Sequence, residues 1–237
     1  MLSIPNLLAA VILLGMVVLS IKTGKLTLTG GITGGFAAIA IYLGAGYTGL
    51  AMLGVFFISG TLTTNWRKGE KQKFKATEDR STKRNAGQVL ANGGVAAIAG
   101  ILILLLPSKA GLFSLMMAAS LASATADTLS SELGMIYGKR FYNIINWKKE
   151  QKGLDGVISL EGTLIGVAGA ALISLIYATG FGWSSNLGLI IIAGTIGNLS
   201  DSVLGAVFER KKYVGNDMVN FLNTLIAALF VFLCIAK

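Results

Sequence analysis

Acidic and hydroxyl side chains interrupt two of the long apolar runs of this chain. The stretch Ala126–Leu133 contains Asp127, Ser131 and Glu132, and Asp201 lies near the end of a later run. A charged side chain inside a bilayer costs roughly 2.5–3.5 kcal/mol on insertion scales, so such residues usually have a function or a partner there. Carboxylate and hydroxyl oxygens suit Mg²⁺, which is often shared with substrate phosphates. The pattern indicates a magnesium and phosphate site divided between two helices.

The spacing within Ala126–Leu133 distinguishes its two carboxylates. In a regular helix Asp127 and Ser131 share a face, whereas Glu132 points about 140° away from Asp127. Either the helix loosens in this region or Glu132 has a different role. We therefore predict Asp127 as the better metal ligand. A structural hydrogen bond between helices is the alternative role for Asp127 and Asp201.

The residue types that are missing restrict the chemistry further. The chain has no histidine, which excludes histidine general bases and histidine-ligated zinc. Its single cysteine, Cys234, cannot form an intramolecular disulfide. Phosphoryl transfer needs mainly positioning and charge neutralisation, so it is compatible with this composition.

The overall composition is that of an integral membrane protein. The 237 residues are 54% hydrophobic and 13% charged, against about 25% charged residues in an ordinary soluble domain. We predict one all-α, polytopic helix bundle over residues 1–237, with about eight membrane spans and roughly six to nine as the range. The predicted spans are 5–21, 26–44, 47–64, 86–106, 110–134, 157–179, 186–207 and 217–235. The second and third are divided only by Gly44–Tyr47, and one broken or re-entrant unit is the alternative.

The basic residues favour one orientation in the membrane. Eighteen of the 20 lysines and arginines fall in loops after odd-numbered spans, and only Lys109 and Lys237 lie elsewhere. The positive-inside rule places those loops in the cytoplasm and both termini outside. Two loops stand out, a basic one over 65–86 and a second over 135–156. The net charge of +9 is thus largely an orientation signal, and nucleic acid is not predicted as a partner.

Polar residues within the predicted spans lie toward their cytoplasmic ends. Asn85, Gln88 and Asn92 share one helix face, and Asp217 and Asn220 begin the last span. A translocation pathway needs polar groups across the bilayer, whereas chemistry on a membrane-held substrate needs them in one leaflet. The asymmetry favours an active site that faces the cytoplasm, and in a prokaryote the membrane would be the inner membrane. Interhelical hydrogen bonding is the alternative for the asparagines, and a transporter or flippase for an ion or lipid phosphate is the alternative function.

A stripe of small residues leads to the second carboxylate. Gly194 and Gly197 precede Asp201 on the same predicted helix face, and a similar stripe begins at Gly162 on the preceding span. Small-residue stripes allow helices to approach closely. We therefore expect Asp201 to lie next to a neighbouring helix.

Five sequence blocks, in this order, resemble a known membrane family. They are Asn85–Gly94, Ala126–Gly134, Gly156–Thr163, Asn198–Ala206 and Asn216–Leu222. They are similar to the family called domain of unknown function 92, which includes a phytyl-phosphate kinase. The second and fourth blocks are more loosely similar to CTP-dependent polyprenol kinases and CDP-diacylglycerol synthases. The resemblance implies a phosphotransferase, with a CDP-lipid-forming nucleotidyltransferase as a further alternative.

The implied reaction converts an isoprenyl or phytyl monophosphate to the diphosphate with CTP, ATP or another nucleoside triphosphate. On this hypothesis Asp127, Asp201 and Asp217 hold Mg²⁺, and Glu132 joins the first two in catalysis. The implied ligands of phosphates and nucleotide are Asn85, Gln88, Asn92, Ser131, Ser202, Lys83, Arg84, Lys139, Arg140 and Asn220. The isoprenoid tail would lie between helices, in contact with membrane lipids.

Overall fold

Each long apolar run of the chain forms an α-helix. The structure, a computed structural model, describes residues 4–72 and 83–235. Its long helices are α1 (Ile4–Lys22), α2 (Leu28–Asn65), α4 (Ala86–Leu105), α5 (Ala110–Tyr137), α6 (Leu160–Phe181), α7 (Asn186–Leu204) and α8 (Asn216–Ile235). The shorter elements are α3 (Lys68–Gln72), strands β1 (Tyr142–Asn143) and β2 (Val157–Ile158), a 3₁₀ turn (Pro107–Lys109) and a π-helical turn (Gly205–Glu209). Residues 73–82 of the predicted basic loop lie outside the described residues.

The helix lengths confirm the predicted membrane bundle. Six described helices, α2 and α4 to α8, are long and apolar enough to cross a membrane. The apolar part of α1 is shorter. Helix α5 is the central element, because it packs against α2, α4, α6, α7 and α8. The chain is therefore a polytopic membrane protein built around the helix that carries Asp127.

Helix α2 reverses its direction at Gly46. This residue has φ 58° and ψ −148°, a region of positive φ that favours glycine. A Cβ atom on Gly49 would lie 2.8 Å from the side chain of Ile41, eight residues earlier, whereas eight residues of straight helix span about 12 Å. The two halves of α2 therefore fold against each other. The predicted spans 26–44 and 47–64 are separate, joined by a sharp turn.

The loops that carry most basic residues gather at one end of the bundle. The Thr27 amide donates to the Arg84 backbone oxygen at 3.0 Å, and the Trp66 indole donates to the Tyr137 hydroxyl at 3.1 Å. Arg210 reaches Glu150 at 2.7 Å. We call this end, formed by residues 22–27, 66–72, 83–85, 138–159 and 205–215, the basic end. The contacts place the predicted cytoplasmic loops on one side of the bundle, and the assignment of that side to the cytoplasm stays a prediction.

Helices α2 and α4 cross at a contact that only glycine permits. A Cβ atom on Gly100 would lie 2.8 Å from the carbonyl carbon of Ala40, and one on Gly44 would lie 2.7 Å from the Gly100 Cα. We expect Gly100→Ala to force the helices apart and to cost about 1–3 kcal/mol of stability, as overpacking usually does. Gly93→Ala on the same helix is the control, since its Cβ would meet no atom within 4 Å.

Thermal unfolding of both variants in one detergent tests this prediction. Gly93→Ala should match or exceed the wild-type midpoint, because alanine is the better helix former. Equal midpoints for the two variants would show that the α2–α4 crossing is looser than the structure indicates.

Candidate functional site

A polar cavity of about 630 Å³ opens at the basic end, between α5, α6, α7 and the loop that joins α5 to α6. Asp127 and Ser131 line it from α5, and Asp201 and Ser202 line it from α7. Residues 153–159 form a further part of its wall. The two sequence stretches that predicted a divided site therefore face one cavity.

The carboxyl groups of Asp127 and Asp201 interact directly within this cavity. The side-chain amide of Asn223, on α8, donates to Asp201 Oδ1 at 2.7 Å. The hydroxyl of Ser123 donates to Asn223 Oδ1 at 3.0 Å, which fixes the orientation of that amide. Asn223 is fully buried. Three helices thus hold one oxygen of Asp201 in place and direct the carboxylate toward Asp127.

Small residues bring these helices together, as the glycine stripe predicted. A Cβ atom on Gly194 would lie 2.9 Å from the Ala122 Cβ, and one on Gly197 would lie 2.8 Å from the backbone oxygen of Asn223. Ser130 of α5 also donates to Asn198 Oδ1 of α7 at 2.9 Å. The predicted close approach of Asp201 to a neighbouring helix is confirmed.

Glu132 has a different environment from Asp127, because α5 stays regular through this region. Glu132 borders the cavity, but its Oε2 is paired with Lys71 Nζ, and both residues are buried. Lys71 Nζ also donates to the backbone oxygens of Thr63 at 2.6 Å and Thr64 at 3.0 Å, at the end of α2. Of the two possibilities for Glu132, the structure supports a separate role, in which it ties α3 and α2 to α5.

The polar residues predicted on one face of α4 form hydrogen bonds at the start of that helix. Asn85 Oδ1 accepts from the Gln88 amide at 3.0 Å, and Gln88 Oε1 accepts from the Asn85 amide at 3.1 Å, which is a capping box. Asn92 Nδ2 donates to the Gln88 backbone oxygen at 3.0 Å. These bonds satisfy the helix terminus, and none of the three side chains lines the cavity.

Asp217 is not brought to the Asp127–Asp201 pair. It lies against the first turn of α4, where a Cβ atom on Gly87 would be 2.7 Å from its Oδ2. It does not line the cavity, so the predicted set of three metal-binding aspartates is not assembled. A carboxylate at this position favours the start of α4 through the helix dipole.

The predicted cationic ligands also lie outside the cavity lining. Lys139 is held through its backbone amide, which donates to Glu161 Oε2 at 3.2 Å, and Arg140 is exposed beside it. Arg84 lies with its guanidinium carbon 5.5 Å from the Phe56 ring centre. The remaining predicted ligands outside the lining are Lys83 and Asn220.

Two basic residues that the sequence analysis did not predict line the cavity instead of these ligands. Arg210 and Lys212 line the cavity, as do Asp155 and Gly156. Arg210 Nε donates to the Asp155 backbone oxygen at 2.5 Å, and its Nη2 donates to Glu150 at 2.7 Å. The hydrogen bond from Arg210 holds the pKa of Glu150 below its ordinary value, so this carboxylate is ionised at neutral pH.

Gly156 is the sequence signal for the contact between the α5–α6 loop and the end of α7. It has φ 74°, and its Cβ position would lie 2.7 Å from the Ser202 backbone oxygen. Only glycine permits the loop to lie this closely on the end of α7. Gly156 begins the third of the five sequence blocks, which the spacing alone did not connect to α7.

The donor set at the aspartate pair fits Mg²⁺. Two carboxylates in contact repel each other when both are ionised, and a cation between them relieves that repulsion. Mg²⁺ is usually bound by one or two protein carboxylates, with waters and substrate phosphates completing its shell. Within residues 4–72 and 83–235 no group of three or more acidic or cysteine side chains is placed to hold a metal ion. Waters, neutral protein oxygens or substrate phosphates would complete the shell of an ion at this pair.

Fold and site together define a polytopic membrane protein with a polar cavity at one end of its helix bundle. The family described as integral membrane protein DUF92 matches residues 11–228, and the chain belongs to this family. The uncharacterized membrane protein MJ0933 of Methanocaldococcus jannaschii is 34% identical over 229 residues, covering 94% of this chain and 92% of that protein.

Two further relatives are less similar to the chain. Protein VTE6, chloroplastic, of Arabidopsis thaliana is 29% identical over 223 residues, covering 89% of this chain and 67% of that protein. The uncharacterized membrane protein sll0875 of Synechocystis is 30% identical over 193 residues, covering 80% and 75%. No solved structure matches the chain significantly.

Proposed function

We propose that this protein is a membrane-embedded, Mg²⁺-dependent kinase that converts an isoprenyl or phytyl monophosphate to the diphosphate, with CTP or another nucleoside triphosphate as donor. The observation that carries the proposal is the direct contact of Asp127 and Asp201 in a cavity that Arg210 and Lys212 also line. A volume of about 630 Å³ lies within the range of ligand sites, roughly 300–1,000 Å³. The resemblance to the family called domain of unknown function 92, which includes a phytyl-phosphate kinase, supports the choice of substrate.

The residues divide the work of phosphoryl transfer. Asp127 and Asp201 would hold Mg²⁺, which when bound neutralises charge on the donor phosphates. Arg210 and Lys212 lie where they can pair with further phosphate oxygens, and Ser131 can donate a hydrogen bond there. The acceptor is itself a phosphate oxygen that is ionised at neutral pH. No strong general base is required, which agrees with a chain that has no histidine.

The position of the cavity suits a lipid phosphate. In the described part of the chain, Lys109 is the one charged residue at the end of the bundle opposite the basic end. In that opposite half the buried polar contacts are between neutral groups, such as Ser114 with Tyr177 and Ser174 with the Leu187 backbone. A phosphate could enter the cavity from one membrane face while its tail stays among the helices.

The test uses purified protein with phytyl or geranylgeranyl phosphate, Mg²⁺, and CTP or ATP labelled at either the α- or the γ-phosphate. A kinase transfers the γ label to lipid and releases nucleoside diphosphate. A nucleotidyltransferase transfers the α label and releases pyrophosphate. A transporter or flippase instead moves substrate across sealed vesicles without nucleotide. Absence of lipid diphosphate with every donor and chain length, in protein shown to be folded, would reject the kinase proposal.

Asn223 is expected to position Asp201 for the reaction. Removing its amide in Asn223→Ala leaves Asp201 Oδ1 without its 2.7 Å donor, and loss of such a supporting partner typically costs about 10–100-fold in metal affinity or activity. Thr224→Ala is the matched control, since Thr224 is equally buried on α8 but bonds to backbone oxygens of Ala91 and Phe221.

The measurement is the Mg²⁺ dependence of turnover, together with Mn²⁺ binding followed by electron paramagnetic resonance. Asn223→Ala should weaken both, and Thr224→Ala should change neither by more than its effect on stability. Equal losses in the two variants would show that Asn223 acts only through packing.

A further inference from the structure

The loop between α5 and α6 presents apolar side chains to its surroundings at the tip of a tight turn. Residues 141–150 fold back on themselves, because the Asn143 amide donates to the Lys148 backbone oxygen at 2.9 Å and the Glu150 amide donates to that of Phe141 at 3.2 Å. We call residues 144–149 the tip turn. Within it Ile145 is 52% exposed and Trp147 is 67% exposed. Exposed apolar side chains that cluster on a surface mark sites of interaction with a protein or a membrane.

Hydrogen bonds hold the tip turn in this form. Asn143 is buried, and its Oδ1 accepts from the Ile145 amide at 2.8 Å and the Asn146 amide at 3.3 Å. The Trp147 amide donates to the Asn143 backbone oxygen at 2.9 Å, and Trp147 has φ 55°, which is uncommon for a bulky residue. The exposure of Trp147 is therefore a consequence of an ordered turn.

The base of the tip turn is anchored at the ends of two membrane spans. Glu150, which follows it directly, bonds to Arg210, the first residue after the π-helical turn that ends α7. The Ile144 amide donates at 3.0 Å to the backbone oxygen of Gly156, four residues before the start of α6. Both contacts are made at span ends, so the turn is anchored close to where these spans would leave the membrane.

Positive charge accompanies the exposed aromatic rings. Lys148 and Lys149 follow Trp147 directly and are exposed. On the adjacent loop Lys211 is exposed and Tyr213 is 72% exposed. Tryptophan and tyrosine favour the membrane–water interface, and each lysine near an anionic membrane surface contributes attraction.

We propose that the tip turn and residues 211–213 form a docking surface for anionic lipid headgroups of the surrounding bilayer. Trp147 and Ile145 enter the interfacial layer, and the lysines pair with headgroup phosphates. The same loop lines the cavity through Phe141 and residues 153–159. The docked turn therefore stands beside the cavity wall, and this surface does not depend on which reaction the cavity performs.

The test follows the fluorescence of Trp147 alone. The variant Trp66→Phe/Trp183→Phe leaves it as the one tryptophan, and the protein is placed in nanodiscs of phosphatidylcholine with or without phosphatidylglycerol. Phosphatidylglycerol should shift the Trp147 emission to the blue and reduce its quenching by acrylamide several-fold. Lipids brominated near the glycerol should quench it. Trp147 emission that is red-shifted, readily quenched by acrylamide and independent of lipid composition would overturn the proposal.

Matched lysine variants test the electrostatic part. Lys148→Gln/Lys149→Gln should abolish the response to phosphatidylglycerol, since each lysine is expected to change the docking equilibrium about fivefold. Lys22→Gln/Lys25→Gln is the control, with the same charge change elsewhere on the basic end, and should keep the response. Equal responses in both variants would exclude recognition of anionic lipid by the tip turn. Shielding of Trp147 from acrylamide and brominated lipid alike would identify a protein partner instead and would also overturn the proposal.

Discussion

Replacing either Asp127 or Asp201 by asparagine is expected to lower lipid-diphosphate formation by about 10²–10³-fold or more, the effect of removing one electrostatic element from a transition-state site. Asparagine keeps the size of the side chain and most of its hydrogen bonding, but it removes the charge that would hold a cation. The two carboxyl groups interact directly, so loss of one leaves a single carboxylate to hold the cation that neutralises the phosphates.

The same substitutions are expected to leave stability unchanged or to raise it. Two carboxylates in contact repel each other when both are ionised, and an amide in place of one removes that repulsion. Asp201→Asn also keeps an oxygen that can accept from Asn223. A loss of turnover without a loss of stability would separate a functional pair from the alternative of a structural hydrogen bond between helices.

The measurement compares turnover at saturating lipid phosphate and nucleotide, the Mg²⁺ concentration for half-maximal rate, and the thermal midpoint in the same detergent. Glu161→Gln is the control, because Glu161 lies at the same end of the bundle but does not line the cavity. It should retain nearly full turnover. Wild-type rates in both aspartate variants would show that turnover requires neither Asp127 nor Asp201, whatever reaction the protein performs.

The parts of the fold that depend on local properties could be predicted from the sequence. Hydropathy predicts the membrane helices. The distribution of the basic residues predicts which loops lie together at one end of the bundle. The glycine stripe before Asp201 predicted the approach to α5, because the absence of side chains directly determines how close two backbones come. The turn at Gly46 stayed open between two alternatives, since a glycine pair beside Tyr47 suits a sharp turn or a broken helix.

The parts that depend on distant partners could not be predicted in the same way. Glu132 pairs with Lys71, which lies 61 residues earlier, and Arg210 pairs with Glu150, 60 residues earlier. No periodicity connects such residues. For Asn85 and Gln88 the sequence contains the spacing of a capping box. The same spacing also suits the predicted ligand-binding face, so it does not distinguish the two roles. A helix terminus needs polar side chains for its own backbone, and that requirement precedes any ligand.

The Lys71–Glu132 pair provides the second large effect, this time on stability. Lys71 is 3% exposed and Glu132 is 8% exposed, and removal of one partner from a buried ion pair typically costs about 3–5 kcal/mol. We expect Lys71→Met to lose stability in this range, because it leaves the Glu132 carboxylate buried and also removes the donor to Thr63 and Thr64. Glu132→Gln should cost less, since the amide oxygen can still accept from Lys71.

The double variant Lys71→Met/Glu132→Leu separates the two roles that Glu132 can have. Apolar replacement of a whole buried ion pair is often neutral or stabilising, so the double variant should recover much of the stability that Lys71→Met loses. If Glu132 serves only to fasten α3 and the end of α2 to α5, turnover should recover with stability, and this is the result we expect. A double variant that is stable and folded but inactive would show that Glu132 takes part in the reaction with Asp127, from its position at the border of the same cavity.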